Sequence, residues 1–174
     1  MAKGQEMKIK GVEILDIEYS QDIRGESYRI YECIEDFDIS EIYISISNKD
    51  VIRGMHFQPY PYGQKKIISI LEGRIEGVVL DLRQTSDTYL MTEHVELEEK
   101  SRYSIVVPEY CAWGFHAKES RNIIVYNISG QYIKEADMGI RWDSVGYDWK
   151  VKKPVISERD KKLITLDEFV RRQR

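Results

Sequence analysis

Short segments in which apolar and polar residues alternate dominate the pattern of the chain. In residues 41–47, EIYISIS, three isoleucines fall on one face and Tyr43, Ser45 and Ser47 fall on the other. Similar segments, rich in β-branched and aromatic residues, recur at intervals of about ten residues with turn residues between them. The predicted strands are 41–47, 51–57, 66–71, 75–82, 89–97, 103–107, 112–117 and 122–128. This spacing is typical of an all-β sandwich or barrel.

Two local signals add to these strands. Gly73 predicts a tight hairpin between segments 66–71 and 75–82, because glycine reaches positive φ without steric cost. Apolar residues at helical spacing predict a short C-terminal helical segment: Leu163, Leu166, Phe169 and Val170. No repeat, low-complexity stretch or linker divides the sequence, so we expect one domain over residues 1–174. Residues 1–6 form a leader if the native chain starts at Met7.

Composition narrows the class of protein. The chain has 174 residues, 42% of them hydrophobic, with 26 basic and 30 acidic side chains. A chain of this size and hydrophobicity buries a substantial core, and the absence of a basic cluster argues against a nucleic-acid partner. No apolar run reaches the roughly 18 residues of a membrane span. Cys33 and Cys111 are far apart without metal-ligand spacing, so we expect a reduced, cytoplasmic protein.

His56 is the first candidate for proton chemistry, because imidazole exchanges protons near neutral pH. A lone histidine is nevertheless more often a hydrogen-bonded structural residue. A metal site of the barrel type needs a second histidine alternating on the same strand, whereas residue 58 is glutamine. His94 and His116 lie on other predicted strands. We therefore expect no metal.

Residues 51–58, VIRGMHFQ, resemble the V-L-R-G-L-H-[FY]-Q strand of the dTDP-4-dehydrorhamnose 3,5-epimerases. The similarity continues in the same order through the motifs at 22–25, Lys66, 81–83, 107–109, 114–115, Tyr126, Tyr132, 139–143, 147–149 and 156–160. Any one motif is weak, but the ordered set is specific. The resemblance implies a cupin-type jelly roll that acts on nucleotide-linked 4-keto sugars without a cofactor. It also implies a homodimer in which N-terminal strands cross to the partner's sheet.

The resemblance further implies roles for individual residues. Carbons C3 and C5 of a 4-keto sugar are both α to the carbonyl, so inversion needs a base on one face of the ring and an acid on the other. His56 is the implied base, and Asp160 is its carboxylate partner. Lys66 would stabilise the charge on the C4 oxygen, and Tyr126 would return a proton from the opposite face. The implied substrate-binding residues are Arg24, Arg53, Gln58, Trp113 and Tyr132, with the two arginines directed at the diphosphate.

Several positions depart from the family pattern. Trp113 replaces the histidine of A-H-G-F, Glu41 and Tyr43 change the Q-x-N-x-S strand, and Gly77 replaces the aspartate of F-D. The proton-transfer set is thus retained while the residues around it change. We therefore hypothesise an epimerase for a different substrate, such as a GDP-linked heptose or another deoxysugar of surface polysaccharides, acting at C3 alone or at both carbons. The alternatives are a non-catalytic sugar-binding jelly roll and, less favoured, a metal-dependent cupin enzyme.

Overall fold

A computed structural model describes residues 7–30 and 36–173 of the chain. Short antiparallel strands account for most of the regular structure in these residues. The strands are β1 (Glu13–Asp16), β2 (Glu18–Asp22), β3 (Gly25–Arg29), β4 (Ile39–Asn48), β5 (Ile52–Phe57), β6 (Lys65–Glu72), β7 (Arg74–Asp81), β8 (Thr92–Glu98), β9 (Tyr103–Val107), β10 (Cys111–Ala117), β11 (Arg121–Ser129) and β12 (Met138–Gly139). The helices are α1 (Glu158–Lys161) and α2 (Leu166–Arg172).

The strands form two five-stranded sheets and a separate hairpin. The first sheet has the order β1-β9-β6-β11-β4, and the second has the order β12-β5-β10-β7-β8. Strands β2 and β3 pair only with each other. The two large sheets pack face to face around a core that includes Ile68, Ile124, Val79 and Phe115. This arrangement is the predicted jelly roll, with its interior open to side chains from both sheets.

The C-terminal segment covers the outer face of the second sheet. Phe169 of α2 contacts Phe57 of β5 edge to face, with ring centroids 5.7 Å apart. A capping box formed by Thr165 and Glu168 starts α2. Leu163, which the sequence pattern placed in this helix, therefore lies before it. Within the described residues no helix is long and apolar enough to cross a membrane.

Two expectations about the strands need correction. The segment predicted to form a strand from Tyr89 begins its strand only at Thr92, because Leu90 adopts a positive φ of 64° and residues 89–91 form a turn. The N-terminal strands β1, β2 and β3 have no counterpart among the predicted strands. Their side chains are largely exposed, so these strands lack the apolar alternation by which the others are predicted.

Candidate active site

A bulge in β5 directs both Arg53 and His56 into the interior. His56 pairs with Trp113 of β10, whereas Arg53 pairs with Phe115, so the two residues between them on β5 oppose a single residue of β10. Cross-strand partners share one face of a sheet, and both Trp113 and Phe115 belong to the core between the sheets. Gly54 at this bulge has a φ of +128°. Without the extra residue, positions 53 and 56 would lie on opposite faces.

His56 is held by a buried carboxylate. Its Nε2 lies 2.8 Å from Asp160 Oδ1, and the Gly54 amide donates to Asp160 Oδ2 at 3.3 Å. Asp160 lies in α1, whose first turn is capped by the Ser157 hydroxyl. Burial alone would raise the pKa of Asp160, but the contact with His56 and the Gly54 amide lower it below its usual value. The carboxylate is therefore ionised, and it holds the Nε2–H tautomer of His56 with Nδ1 left as the basic atom.

Tyr126 lies in the interior on the opposite sheet. It is a core residue of β11, only 3% exposed, between Ile124 and Ile128 on the same face. Tyr43 is its direct cross-strand partner on β4, and the two rings are stacked with centroids 4.5 Å apart and planes 5° apart. Burial raises the pKa of the Tyr126 hydroxyl well above its usual value. Tyr126 is therefore a protonated phenol that can serve as an acid.

Lys66 also projects into the interior from the first sheet. It pairs with Ile128 of β11, two residues beyond Tyr126 on the same inward face. Desolvation lowers the pKa of its ammonium group to about 8, and the nearby Asp137 opposes this shift. Lys66 is thus a cation at neutral pH with little water around it, which is the condition in which it stabilises developing negative charge most strongly.

The ring of Trp113 packs directly against Gly77 on the inner face of the second sheet. A Cβ atom placed on Gly77 would lie 2.0 Å from Cη2 of the Trp113 ring, so the indole requires glycine at this position. Trp113 is 4% exposed, and its Nε1–H has no hydrogen-bond partner within accepted geometry. It is still near enough to the Tyr126 hydroxyl to lower the pKa of that group, against the larger effect of burial. The indole therefore brings an unused donor to the acid side of the site.

The other predicted substrate-binding residues differ in their positions and in their hydrogen-bond partners. Gln58 donates to the carbonyls of Tyr62 and Gln131 and accepts from the Ile133 amide. Its side chain is therefore used to fix the loops at the mouth, which favours a positioning role over the predicted contact with substrate. Arg53 donates to Ser47 Oγ at 3.0 Å.

Tyr132 lies at the rim, where its hydroxyl donates to Asp137 at 3.1 Å. Arg159 contacts the same carboxylate at 2.8 Å. Arg24 lies instead at the turn of the β2–β3 hairpin, with 86% of its side chain exposed and Asp22 as its partner. The described contacts of Arg24 do not connect it to the other predicted residues.

Tyr43, Asp137 and Arg159 were missed as site residues by the sequence analysis. Tyr43 drew attention only as a departure from the family strand, and its pairing with Tyr126 depends on strand register. Arg159 directly precedes Asp160, which was the available signal. Asp137 lies in no quoted motif and gave none.

The histidines do not converge. His94 and His116 lie on the outer face of the second sheet, near Tyr147 and Glu76 respectively. Across residues 7–30 and 36–173, no three side chains of His, Cys, Asp or Glu are grouped to hold a metal ion. Cys33 lies outside the described residues, and Cys111 is buried, which raises the pKa of its thiol to about 12. A reaction without metal or cofactor stays a prediction.

Known proteins are similar to this chain in sequence and in fold. Residues 6–168 match the profile of the dTDP-4-dehydrorhamnose 3,5-epimerase family. The chain is 31% identical over 131 residues to a dTDP-4-dehydrorhamnose 3,5-epimerase of Shigella flexneri, which covers 72% of each protein. It is also 31% identical over 132 residues to a dTDP-4-dehydrorhamnose 3-epimerase of Streptomyces niveus, covering 75% of this chain and 64% of that one.

The fold of this chain is also similar to that of a sugar epimerase whose structure has been solved. The 4-keto-6-deoxy sugar epimerase from the novobiocin gene cluster of Streptomyces spheroides superimposes with a TM-score of 0.90 at 28% identity, covering 97% of this chain and 89% of that one. The shared fold is the cupin-like jelly roll. Since the family profile spans most of the sequence, the chain belongs to the dTDP-4-dehydrorhamnose 3,5-epimerase family and is an isomerase of the nucleotide-sugar epimerase type.

Proposed function

We propose that the protein epimerises a nucleoside-diphosphate-linked 4-keto deoxysugar by removing and returning a proton next to the carbonyl. The observation that carries this proposal is the hydrogen bond between His56 and Asp160, opposite Tyr126 and Lys66 on the facing sheet. A sugar ring held between the two sheets meets a base on one side and an acid on the other.

The first step is proton abstraction by His56. Nδ1 of the imidazole takes the proton from the carbon α to the C4 carbonyl, while Asp160 accepts the Nε2–H bond and stabilises the imidazolium that forms. The electrons of the C–H bond become the enolate, with its charge on the C4 oxygen. Lys66 stabilises this oxygen as a desolvated cation.

The second step is reprotonation by Tyr126. Its hydroxyl gives a proton to the same carbon from the other face, which inverts the configuration and regenerates the carbonyl. Because the base and the acid come from different sheets, the product differs from the substrate in stereochemistry. The choice between epimerisation at C3 alone and at both carbons stays open, since 3,5-epimerases and a 3-epimerase are both among the relatives at 31% identity.

A changed substrate is supported by the interior around this set. Trp113 presents a neutral donor where the family has a histidine, and Arg53 is the inward-facing arginine next to the base. We infer that Trp113 contacts the sugar, that Arg53 contacts the diphosphate and that Tyr132 borders the entrance. A GDP-linked heptose or another surface-polysaccharide deoxysugar, and a cytoplasmic location, stay predictions.

We further propose that the protein is a homodimer. Ile42, Ile44 and Ile46 of the edge strand β4 are 54–60% exposed on the outer face of the first sheet, which is an apolar surface suited to a second copy. Arg24 lies exposed on the β2–β3 hairpin, which pairs with neither large sheet, and its described contacts do not include His56 or the other site residues of its own chain. A partner's site is where this guanidinium could reach a diphosphate.

A panel of nucleotide-linked 4-keto sugars in deuterated water tests the function. We expect deuterium at C3, C5 or both, and we expect His56→Asn to abolish it. A wild-type protein that binds such sugars without exchanging any C–H proton would support the non-catalytic sugar-binding alternative.

A further inference from the structure

Tyr43 is the only phenol in direct cross-strand register with Tyr126 among the described residues. The two rings are stacked with centroids 4.5 Å apart and are almost parallel. Their hydroxyl groups lie close enough for each to shift the pKa of the other. The two phenols differ in exposure: Tyr126 is 3% exposed and Tyr43 is 42% exposed. Tyr43 therefore lies between the buried acid and solvent.

A buried acid such as Tyr126 must be reprotonated after each turnover. When Tyr126 gives its proton to the enolate carbon, it becomes a phenolate inside the core between the sheets. Burial disfavours this charged form strongly. Only 3% of Tyr126 is exposed to solvent, so a neighbouring phenol that reaches solvent offers a route for the proton that the next turnover needs.

We propose that Tyr43 is a positioning residue that recharges Tyr126, by passing a proton from solvent at the mouth of the barrel to the Tyr126 phenolate. This inference rests on the proposed epimerase function. The Tyr43 O–H bond breaks as the Tyr126 O–H bond forms, and the Tyr43 phenolate then takes a proton from water. His56 releases the proton that it removed from the sugar to solvent, so solvent loses one proton at Tyr43 and regains one at His56. All three side chains end the cycle as they began, and no further reactant is consumed.

The charges near Tyr43 suit this role. Burial and the nearby Glu41 raise the pKa of its hydroxyl to about 12, and Arg53 opposes them. Tyr43 therefore holds its proton at neutral pH and gives it to a stronger base, which a buried phenolate is. Arg53 acts on both phenols, since it also lowers the pKa of Tyr126 against the larger effect of burial. It can thus stabilise the anion on either ring while the proton moves.

Tyr43→Phe tests the proposal, because phenylalanine keeps the stacked ring and removes only the hydroxyl. We expect an unchanged rate of the first proton transfer in a single turnover, with a roughly tenfold lower kcat and little change in KM. This loss is smaller than the roughly 10²- to 10⁴-fold effect expected for removing the acid itself by Tyr126→Phe. The solvent deuterium isotope effect on kcat should increase. Tyr89→Phe, in an outer loop, is the matched control and should change none of these quantities.

A further variant separates the relay from a structural effect. Tyr43→His, which restores a group that exchanges protons, should recover part of the lost kcat.

The possible results distinguish a failure of the Tyr43 relay from a failure of the epimerase function. If wild type exchanges deuterium and Tyr43→Phe retains its full kcat, the relay is overturned while the epimerase function stands. If Tyr43→Phe raises KM alone, Tyr43 contacts the ligand instead, and the relay is again overturned. If wild type exchanges no proton with any 4-keto sugar, the proposed function and the inference fail together.

Discussion

At the scale of single residues, the proposed reaction depends on how neighbouring groups set the protonation state of each catalytic side chain. Asp160 stays ionised because His56 and the Gly54 amide outweigh the cost of its burial. Tyr126 stays protonated because its phenolate would be desolvated. The base side of the site is therefore ready to accept a proton and the acid side to donate one, before any substrate arrives.

Replacing Asp160 by asparagine tests the base side. The amide keeps the shape of the side chain but removes the charge that stabilises the imidazolium and fixes its tautomer. We expect a loss of kcat of roughly 10²- to 10⁴-fold, with KM changed little. Asp148→Asn, at an exposed carboxylate that pairs with Lys150, is the matched control and should retain full activity. Equal activity of the two variants would remove Asp160 from the mechanism.

The pH dependence tests Lys66. Since burial lowers its pKa to about 8, the cation that stabilises the enolate is lost as the pH rises through this value. We expect kcat/KM to fall above about pH 8. Lys66→Arg should move this decline to higher pH, because guanidinium does not lose its proton in this range. A profile that stays flat up to pH 10 in the wild type would show that Lys66 does not supply the charge.

The family motifs predicted the pairing of His56 with Asp160, although more than a hundred positions separate them in the chain. No local pattern could predict the contribution of Tyr43, because its contact with Tyr126 follows from the register of β4 against β11. The sequence also could not predict the burial that lowers the pKa of Lys66. Two adjacent lysines, Lys65 and Lys66, look alike until the pleat of β6 directs one of them inward.

At the scale of elements, the bulge in β5 is what brings Arg53 and His56 to one face. Gly54→Ala should disrupt it, since the added Cβ would lie 2.5 Å from Gly114 Cα and 2.8 Å from the Trp113 carbonyl oxygen. We expect a loss of roughly 3 kcal/mol or more in the free energy of unfolding, measured by denaturant titration. Proton exchange should also fail in the fraction that still folds.

Gly25→Ala is the control for this prediction. Gly25 has a similar φ of +125°, but a Cβ there meets nothing within 4 Å. Its substitution therefore introduces the same backbone strain without the clash, and it should cost roughly 1–3 kcal/mol. Equal costs at the two positions would show that the close approach of β5 to β10 contributes nothing.

The strands themselves were largely predictable. All eight predicted segments contain a strand. In β8 buried and exposed residues alternate as the prediction assumes, whereas β7 and β10 are buried on both faces. The exceptions have physical causes. The β2–β3 hairpin is exposed on both faces, so its sequence carries no alternation of apolar and polar residues. The turn at residues 89–91 delays the start of β8 to Thr92.

At the scale of the whole molecule, the proposed dimer should depend on the outer face of the first sheet. Ile44→Lys should shift the protein to a monomer in sedimentation-velocity experiments, because a charge buried in an apolar interface is costly. Val155→Lys, at a residue 57% exposed beside the second sheet, should leave the dimer intact. A wild-type protein that sediments as a monomer, or an Ile44→Lys dimer, would contradict this assembly.

Mixing two defective variants at a substrate concentration too low for Arg24→Ala to bind tests whether the hairpin completes the partner's site. Arg24→Ala should weaken substrate binding, and His56→Asn should abolish proton exchange. In a mixed dimer, one site keeps both His56 and the partner's intact hairpin, so exchange should reappear after subunits are mixed. Failure of the mixture to recover activity, with mixed dimers present, would show that Arg24 does not complete the partner's site.

In the proposed mechanism, protons are removed and returned from opposite faces of the sugar. Its most direct test is the NMR analysis of a 4-keto sugar nucleotide incubated in deuterated water with wild type, His56→Asn and Tyr126→Phe. We predict deuterium with inversion for wild type, no deuterium for His56→Asn, and deuterium without inversion for Tyr126→Phe, because only the base side then exchanges. Inversion by Tyr126→Phe at the wild-type rate would contradict the account.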